Sequence, residues 1–198
     1  MRNAILVSSV VLFMACTMAR ADSPTTAPSD QGFSLTSPRV GQLAACTYLY
    51  TTLQTTYAQM NTVATPTVHD VETAMRNGGI AAMGAPIFIY KNAGADPNAP
   101  FTLEIGFPVA GGTEAVGNLQ VANLDATRSA LAVYFGPLSN IGKAYEQLFG
   151  DVVALGEMPA SERRERYVYW EGPDSPNNII LIEIALRNTP GGQAPGGL

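Results

Sequence analysis

The chain has 198 residues, enough for one domain or for two small fused modules. Its 11 basic and 16 acidic residues give a formal net charge of −5, which argues against a nucleic-acid-binding protein, because binding phosphates requires clustered cations. Since 46% of the residues are hydrophobic and only 14% are charged, the chain can build a core and is not disordered as a whole.

Residues 1–21 have the pattern of a secretory signal. Arg2 supplies the positive charge, residues 4–15 (AILVSSVVLFMA) form an uncharged run, and Ala19-Arg20-Ala21 fits a cleavage site. The run is too short to span a bilayer, which takes roughly 20 residues. We therefore predict a periplasmic or secreted protein that starts near Asp22 and has no stable membrane insertion. Two alternatives stay open, which are lipid attachment through Cys16 and retention of the segment as an anchor.

The Pro-, Ser- and Thr-rich stretch 22–42 predicts a linker, and the Gly- and Pro-rich stretch 188–198 predicts a disordered tail. The folded domain is then expected at 43–187. Cleavage of the signal would leave Cys46 as the remaining cysteine, which we expect to be a small buried hydrophobic side chain. His69, the single histidine, is expected at the surface. No cluster of His, Asp and Glu has metal-ligand spacing, so neither a metal nor another cofactor is expected.

The domain is predicted to contain a strand–helix–strand–strand unit twice, in modules 43–110 and 117–187. In each module the last strand carries a glutamate between Leu or Ile residues, Glu104 and Glu183, and a strand ending in Tyr90 or Tyr169 precedes it. Both correspondences have an offset of 79 positions. The two units predict an α+β domain with helices on one face of an antiparallel sheet.

Hydrophobic periodicity gives the elements of each module. The predicted strands are 47–53, 87–90 and 101–109 in the first module and 129–135, 167–169 and 179–186 in the second. The predicted helices are 67–77 and 139–155, the second with Ser139 as its N-cap.

Strand alternation places Glu104 and Glu183 on the sheet face away from the helices. The small residues Gly106 and Ala185 lie two positions further on and predict free space beside each carboxylate. We assign four aromatic residues of the hairpin partners to the same face: Phe88, Tyr90, Tyr167 and Tyr169. Aromatic rings around a carboxylate can bind cations, but an ordinary half-exposed sheet would show the same pattern.

Several stretches occur in a family-specific order: Gly84-Ala85-Pro86, 101–108, FGPLSNIGKAY (135–145), YWEGP (169–173) and LIEI (181–184). Over residues 43–187 they resemble the GyrI-like small-molecule-binding family, whose domain is also the effector-binding domain of some AraC-type and MerR-type regulators. The chain departs from the family at Leu138, where Tyr is usual, and at Ile182, where Thr is common. Its first helix is expected to be short.

The resemblance implies a duplicated fold with a ligand cleft between its halves. It also implies an acidic cleft residue that engages cationic or polar aromatic ligands, and it assigns that acid to Glu183 and the matching aromatic to Tyr169. Some members of the family are thought to hydrolyse cyclopropane-containing compounds with Glu and Tyr residues of the cleft.

We therefore predict an exported small-molecule-binding protein that captures a cationic or polar aromatic ligand. The predicted ligand-binding residues are Glu183, Tyr169, Tyr167, Tyr90, Phe88 and Glu104. The alternative is a hydrolase that uses Glu183 and Tyr169. A haem protein of the related SOUL type is disfavoured by the single histidine, and no helix-turn-helix pattern indicates DNA binding. The oligomeric state stays open.

Overall fold

The computed structural model describes residues 32–94 and 96–187. The predicted signal (1–21), including Cys16, and the predicted tail (188–198) lie outside the described residues, so both stay predictions. Within the described ranges, no helix is both long and apolar enough to cross a membrane.

The described chain forms nine strands and two α-helices. In chain order they are β1 (Ser34–Leu35), β2 (Arg39–Leu43), β3 (Cys46–Thr55), α1 (Met60–Asn77), β4 (Ile87–Lys91), β5 (Phe101–Val109), β6 (Gln120–Leu124), β7 (Thr127–Phe135), α2 (Ile141–Ala154), β8 (Pro159–Tyr169) and β9 (Ile179–Leu186). A short 3-10 turn precedes each helix, at Tyr57–Gln59 and Leu138–Asn140.

All strands join one antiparallel sheet, and both helices pack on the same face of it. The strand order is β1, β7, β9, β8, β4, β5, β3, β6, with β2 also paired along β7. The core under α2 includes Leu148 of the helix and Ile182 of β9, and the core under α1 includes Val71 of the helix and Phe107 of β5. The predicted α+β class is confirmed.

The order of the strands is symmetric about the boundary between β4 and β8. From that boundary the order is β4, β5, β3 in one direction and β8, β9, β7 in the other, so the two modules contribute corresponding strands. Glu104 lies opposite Thr52, and Glu183 lies opposite Leu131. The predicted offset of 79 therefore holds for the last strand of each module and for the strand before each helix.

The offset does not hold for the strands β4 and β8. Ile89 lies opposite Glu104, whereas Arg164 lies opposite Glu183, so these strands correspond at an offset of 75. Between the corresponding pairs Lys91–Thr102 and Arg166–Leu181, the second hairpin has four more residues than the first, because its strands pair further and contain a bulge between Tyr167 and Tyr169. Tyr90 therefore corresponds to Glu165, and the prediction that it lies over Tyr169 is wrong.

The predicted linker 22–42 extends too far, because β1 and most of β2 lie within it. Gln42 of β2 pairs with Arg128 of β7, and Val121 of β6 pairs with Leu49 of β3. Both correspondences again have the offset of 79, so each module has an additional first strand that pairs with the other module. Neither β2 nor β6 was predicted, because a short edge strand with exposed side chains lacks clear apolar alternation.

The pairing of β2 with β7 and of β6 with β3 forces the sheet to curl. Only two residues connect β2 to β3, and two connect β6 to β7. A connection of two residues bridges at most about 11 Å between the strand ends, so the two edges of the sheet approach each other. We call the face without helices the inner face; Tyr48, Ile89 and Glu183 are buried on it.

Both helices differ from their predicted bounds. α1 begins at Met60 rather than at residue 67 and continues through Pro66, so the expectation of a short first helix is wrong. A proline in the interior of a helix is unusual because it has no backbone N–H to donate. α2 begins at Ile141, and Ser139 lies in the preceding 3-10 turn, where no capping side-chain hydrogen bond forms.

Candidate functional site

A cleft between the two helices lies over the strands where the modules meet. On its floor, β4 presents Phe88 and Tyr90, and β8 presents Arg163, Glu165 and Tyr167. Phe88 lies opposite Glu165, and Tyr90 lies opposite Arg163. At the offset of 75, the apolar or phenolic residues of the first module correspond to the charged residues of the second.

The cleft contains two adjoining cavities of about 530 and 400 Å³. Met60, Leu138 and Tyr167 border both of them. The larger cavity is also lined by Tyr57, Tyr90, Tyr145, Phe149, Arg163 and Glu165, and the smaller by Ala64, Val68, Phe88 and Trp170. A concave site of this size, mostly apolar with a few polar groups, is typical of small-molecule sites.

Glu165 is the polar centre of the cleft. Its side chain is buried, with 3% of its surface exposed, and its two carboxylate oxygens accept hydrogen bonds from three phenols. Tyr90 and Tyr167 donate to Oε2 at 2.7 and 2.8 Å, and Tyr145 donates to Oε1 at 2.9 Å. This arrangement holds a carboxylate in an apolar cleft without leaving it unsatisfied.

Burial determines the protonation behaviour of this cluster. Desolvation raises the pKa of Glu165 above its ordinary value, although the three phenol donors and the nearby Arg163 oppose the shift. Burial also raises the pKa of Tyr90, Tyr145 and Tyr167 well above the usual phenol value. The phenols therefore stay protonated and remain hydrogen-bond donors.

Aromatic contacts connect the two cavities. The rings of Phe88 and Tyr167 are 4.4 Å apart between centroids, and Trp170 meets Tyr167 edge-on at 5.6 Å. Tyr57 contacts Tyr90 at 6.3 Å on the other side. The result is an aromatic lining on which a flat or cationic ligand could stack.

The structure brings three of the six predicted site residues into the cleft, namely Phe88, Tyr90 and Tyr167. Tyr169 does not line either cavity; it is 48% exposed and donates to Glu171 at 2.7 Å. The reason is the four additional residues of the second hairpin, with its bulge between Tyr167 and Tyr169, which place Tyr169 at the end of its strand.

Glu104 and Glu183 lie on the inner face, so the prediction that they share a face with the aromatic residues is wrong. Glu104 forms an ion pair with Lys91, and Glu183 forms one with Arg166. Lys91 and Arg166 correspond at the offset of 75. The repeated glutamate is therefore part of a duplicated cross-strand ion pair. The pairing puts Ile89 opposite Glu104, so its neighbours Phe88 and Tyr90 lie on the opposite, helix-facing side.

The space predicted beside Glu104 is also occupied. A Cβ atom at Gly106 would lie 2.1 Å from the carbonyl oxygen of Leu49 and 2.6 Å from Cα of Tyr50. Gly106 thus permits a close approach between β5 and β3 and does not open a ligand pocket.

Two further predictions concern single residues. Cys46 is half-buried at the start of β3, not buried as expected, because it lies at the end of the strand. His69 is exposed, as expected, although it lies in the middle of α1 and borders the smaller cavity. Among the described residues, no group of three or more His, Cys, Asp and Glu side chains could hold a metal ion.

Sequence reasoning missed Glu165, Arg163 and Tyr145. The stretch ERRERYVY was predicted as strand only from residue 167, so its alternation of Arg163, Glu165 and Tyr167 was not recognised. Tyr145 entered the sequence analysis only as the last residue of the stretch FGPLSNIGKAY and not as a site residue. Extending the strand backward from Tyr167 would have put both charges on the same face as the aromatic residues.

No family model matches the sequence, and no curated protein matches it either. Solved structures do match. The C-terminal domain of EcmrR has a TM-score of 0.65 and 15% identity, with 77% of this chain and 98% of that domain covered. Against EcmrR in its complex with DNA, the match covers 80% of this chain but only 59% of the EcmrR chain.

Two other similar structures carry functional descriptions of their own. SAV2435, solved with bound tetraphenylphosphonium, has a TM-score of 0.56 and 10% identity, with 76% of this chain and 93% of that chain covered. A hydrolase from Listeria innocua has a TM-score of 0.54 and 9% identity, with 76% and 91% covered. At these identities the likenesses show the fold alone, which is the fold of the EcmrR C-terminal domain and of SAV2435.

Proposed function

We propose that the protein binds aromatic organic cations or polar aromatic molecules in the cleft between α1 and α2, with Glu165 as the charged partner. The observation that carries the proposal is the buried Glu165 carboxylate, surrounded by three phenols at the floor of an aromatic cavity. A desolvated carboxylate attracts a cation more strongly than an exposed one, and aromatic rings add cation–π attraction.

The structural likeness to SAV2435 suggests the first probe, because that protein is solved with tetraphenylphosphonium. This ion is a delocalised cation surrounded by phenyl groups, so it would match both the carboxylate and the aromatic lining. Tetraphenylborate has nearly the same shape and the opposite charge. Comparing the two ions isolates the contribution of charge.

Trp170 provides the measurement. It is the single tryptophan of the chain, it borders the smaller cavity and it contacts Tyr167. We expect titration with tetraphenylphosphonium to change its fluorescence in a saturable way, and tetraphenylborate to bind at least about tenfold more weakly. Equal binding of the two ions, or no binding of the cation, would contradict the proposal.

The second candidate function is hydrolysis of a small molecule bound in the same cleft. A carboxyl group with a raised pKa that is surrounded by phenols could serve as a general acid or base, which favours this candidate. Turnover distinguishes it from binding. Mass spectrometry after incubation should recover a bound ligand unchanged if the protein only binds, and a product with added water would instead support hydrolysis.

We also propose, from residues 1–21, that the protein is exported and acts in the periplasm or outside the cell. The expected mature protein begins near Asp22 and carries no lipid. Intact-mass measurement of the exported fraction tests this expectation, and a lipid-modified Cys16 or an uncleaved N-terminus would refute it.

A further inference from the structure

Arg163 lies in the cleft two positions from Glu165 and therefore on the same face of β8. Among the described residues that line the larger cavity, it is the one cation. Two other carboxylates line this cavity, Glu146 and Asp174, and both are exposed. The cleft floor thus carries a positive and a negative group side by side.

The contacts of Arg163 are with neutral groups. Its Nη2 donates to the hydroxyl of Tyr57 at 3.1 Å and to the carbonyl of Ala93 at 2.6 Å, and its Cζ lies 5.5 Å from the centre of the Tyr145 ring. These contacts fix the position of the guanidinium without neutralising its charge.

The neighbouring arginines of β8, in contrast, form salt bridges with carboxylates. Arg164 pairs with Glu162, and Arg166 pairs with Glu183. In the part of the chain that the structure describes, no salt bridge is found for Arg163, and neither its Nε nor its Nη1 has a hydrogen-bond acceptor. A half-buried guanidinium with open donors is suited to a planar anionic group, which can bind two of its N–H groups at once.

We propose that Arg163 makes the cleft selective for aromatic ligands that carry both a cationic group and a carboxylate, over purely cationic ligands of the same shape. The cationic ring system would lie on the aromatic lining near Glu165, and the carboxylate would pair with the guanidinium. This inference rests on the proposed function. Both charged groups, Arg163 and Glu165, belong to the second module. A ligand with one positive and one negative group can therefore pair with both in one orientation only.

Two fluorescent dyes form a matched pair for the test. Rhodamine 110 carries a free carboxylate on a cationic xanthene, and rhodamine 123 is its methyl ester, which lacks the negative charge. Fluorescence polarisation gives the affinity of both dyes. We expect wild-type protein to bind rhodamine 110 about tenfold more tightly than rhodamine 123, as one charge-assisted bidentate contact would supply.

Variants then assign the preference to a residue. Arg163→Gln should weaken rhodamine 110 binding about tenfold and leave rhodamine 123 binding unchanged or tighter. Arg163→Lys keeps the charge without the planar fork and should recover part of the preference. Glu165→Gln should weaken both dyes.

Equal affinity for the two dyes in wild-type protein, or equal loss of both in Arg163→Gln, would overturn the proposal. The wild-type comparison requires no variant, so it decides the question even if a substitution prevents folding. If rhodamine 123 and tetraphenylphosphonium bind without any preference for rhodamine 110, only this inference fails. If none of the three probes binds, the proposed function fails together with it.

Discussion

Glu165 differs from the other buried glutamates in what surrounds it. Glu104 and Glu183 each have a cation on the inner face, whereas Glu165 has three phenols and faces a cavity. A glutamate neutralised by a neighbouring side chain has little attraction left for a ligand. Among the described residues Glu165 forms no salt bridge, although Arg163 lies nearby, so its carboxylate is the one that a cationic ligand can use.

The raised pKa of Glu165 predicts how binding depends on pH. Because desolvation favours the neutral carboxyl, the carboxylate begins to protonate at a higher pH than the roughly 4.3 of an exposed glutamate. Tetraphenylphosphonium keeps its charge at all pH values. We expect its affinity to fall as the pH is lowered through the raised pKa of Glu165. Calorimetric titrations between about pH 4 and pH 7.5 measure this, and a constant affinity would argue against Glu165 as the partner.

The Tyr145 hydroxyl gives a second residue-scale prediction. It donates to the carboxylate and so lowers the pKa of Glu165 relative to burial alone. Tyr145→Phe should move the midpoint of the pH profile upward, because the carboxylate loses one hydrogen bond that favours its charged form. Tyr169→Phe is the matched control, since that hydroxyl bonds to the exposed Glu171. A shift of equal size in both variants would contradict the assignment.

At the scale of the strand, Gly106 tests the explanation of the small residue next to Glu104. If it serves close strand contact, Gly106→Ala should reduce the free energy of unfolding by at least about 2 kcal/mol, because the new Cβ would overlap the backbone of β3. Gly150→Ala is the control. It lies on α2 with nothing within 4 Å, so alanine there should stabilise the protein by about 0.5–1 kcal/mol.

Urea denaturation of both variants measures these changes. Near-wild-type stability of Gly106→Ala would mean that β5 and β3 can separate at this point. The original hypothesis of free space beside Glu104 would then regain support.

The strands show what local pattern can and cannot predict. β5 and β9 were predicted with their observed bounds, because their apolar alternation is long and both are bounded by loop residues. β8 was predicted as three residues although it has eleven, since charged residues such as Arg163 and Glu165 resemble a surface segment. The register of a hairpin depends on the length of its connection, and no local pattern reveals a register change of one residue.

At the scale of the whole molecule, the pairing between the two modules explains why the edge strands β2 and β6 were not predicted. β2 and β6 obtain their stability from the opposite module, so only the assembled sheet makes them strands. The duplication could be predicted from repeated residues, and the fold class followed from it. The cleft could not be located, because the two charged residues of its floor, Arg163 and Glu165, correspond to Phe88 and Tyr90 in the first module and are therefore not repeated.

Because β1 and β2 pair with β7 of the second module, we expect that removing them from the chain lowers its stability. A chain that starts at Gly32 keeps β1, β2 and the buried Phe33, which stacks on Tyr134 at 5.7 Å. A chain that starts at Cys46 loses all three and exposes the edge of β7. We expect it to be less stable than the longer chain by at least about 3 kcal/mol, from one lost aromatic residue and the lost strand pairing. Thermal unfolding of both chains is the measurement, and equal stability would show that β2 is dispensable.

Calorimetric titration of tetraphenylphosphonium into Glu165→Gln and Glu183→Gln tests the central claim most directly. Both substitutions remove one buried negative charge from neighbouring strands of the second module, and circular dichroism confirms that each variant is folded. We expect Glu165→Gln to weaken binding by about tenfold or more, and Glu183→Gln to change it by less than about twofold, because Glu183 pairs with Arg166 on the inner face. A large loss in Glu183→Gln with unchanged binding in Glu165→Gln would place the ligand on the inner face and refute the account.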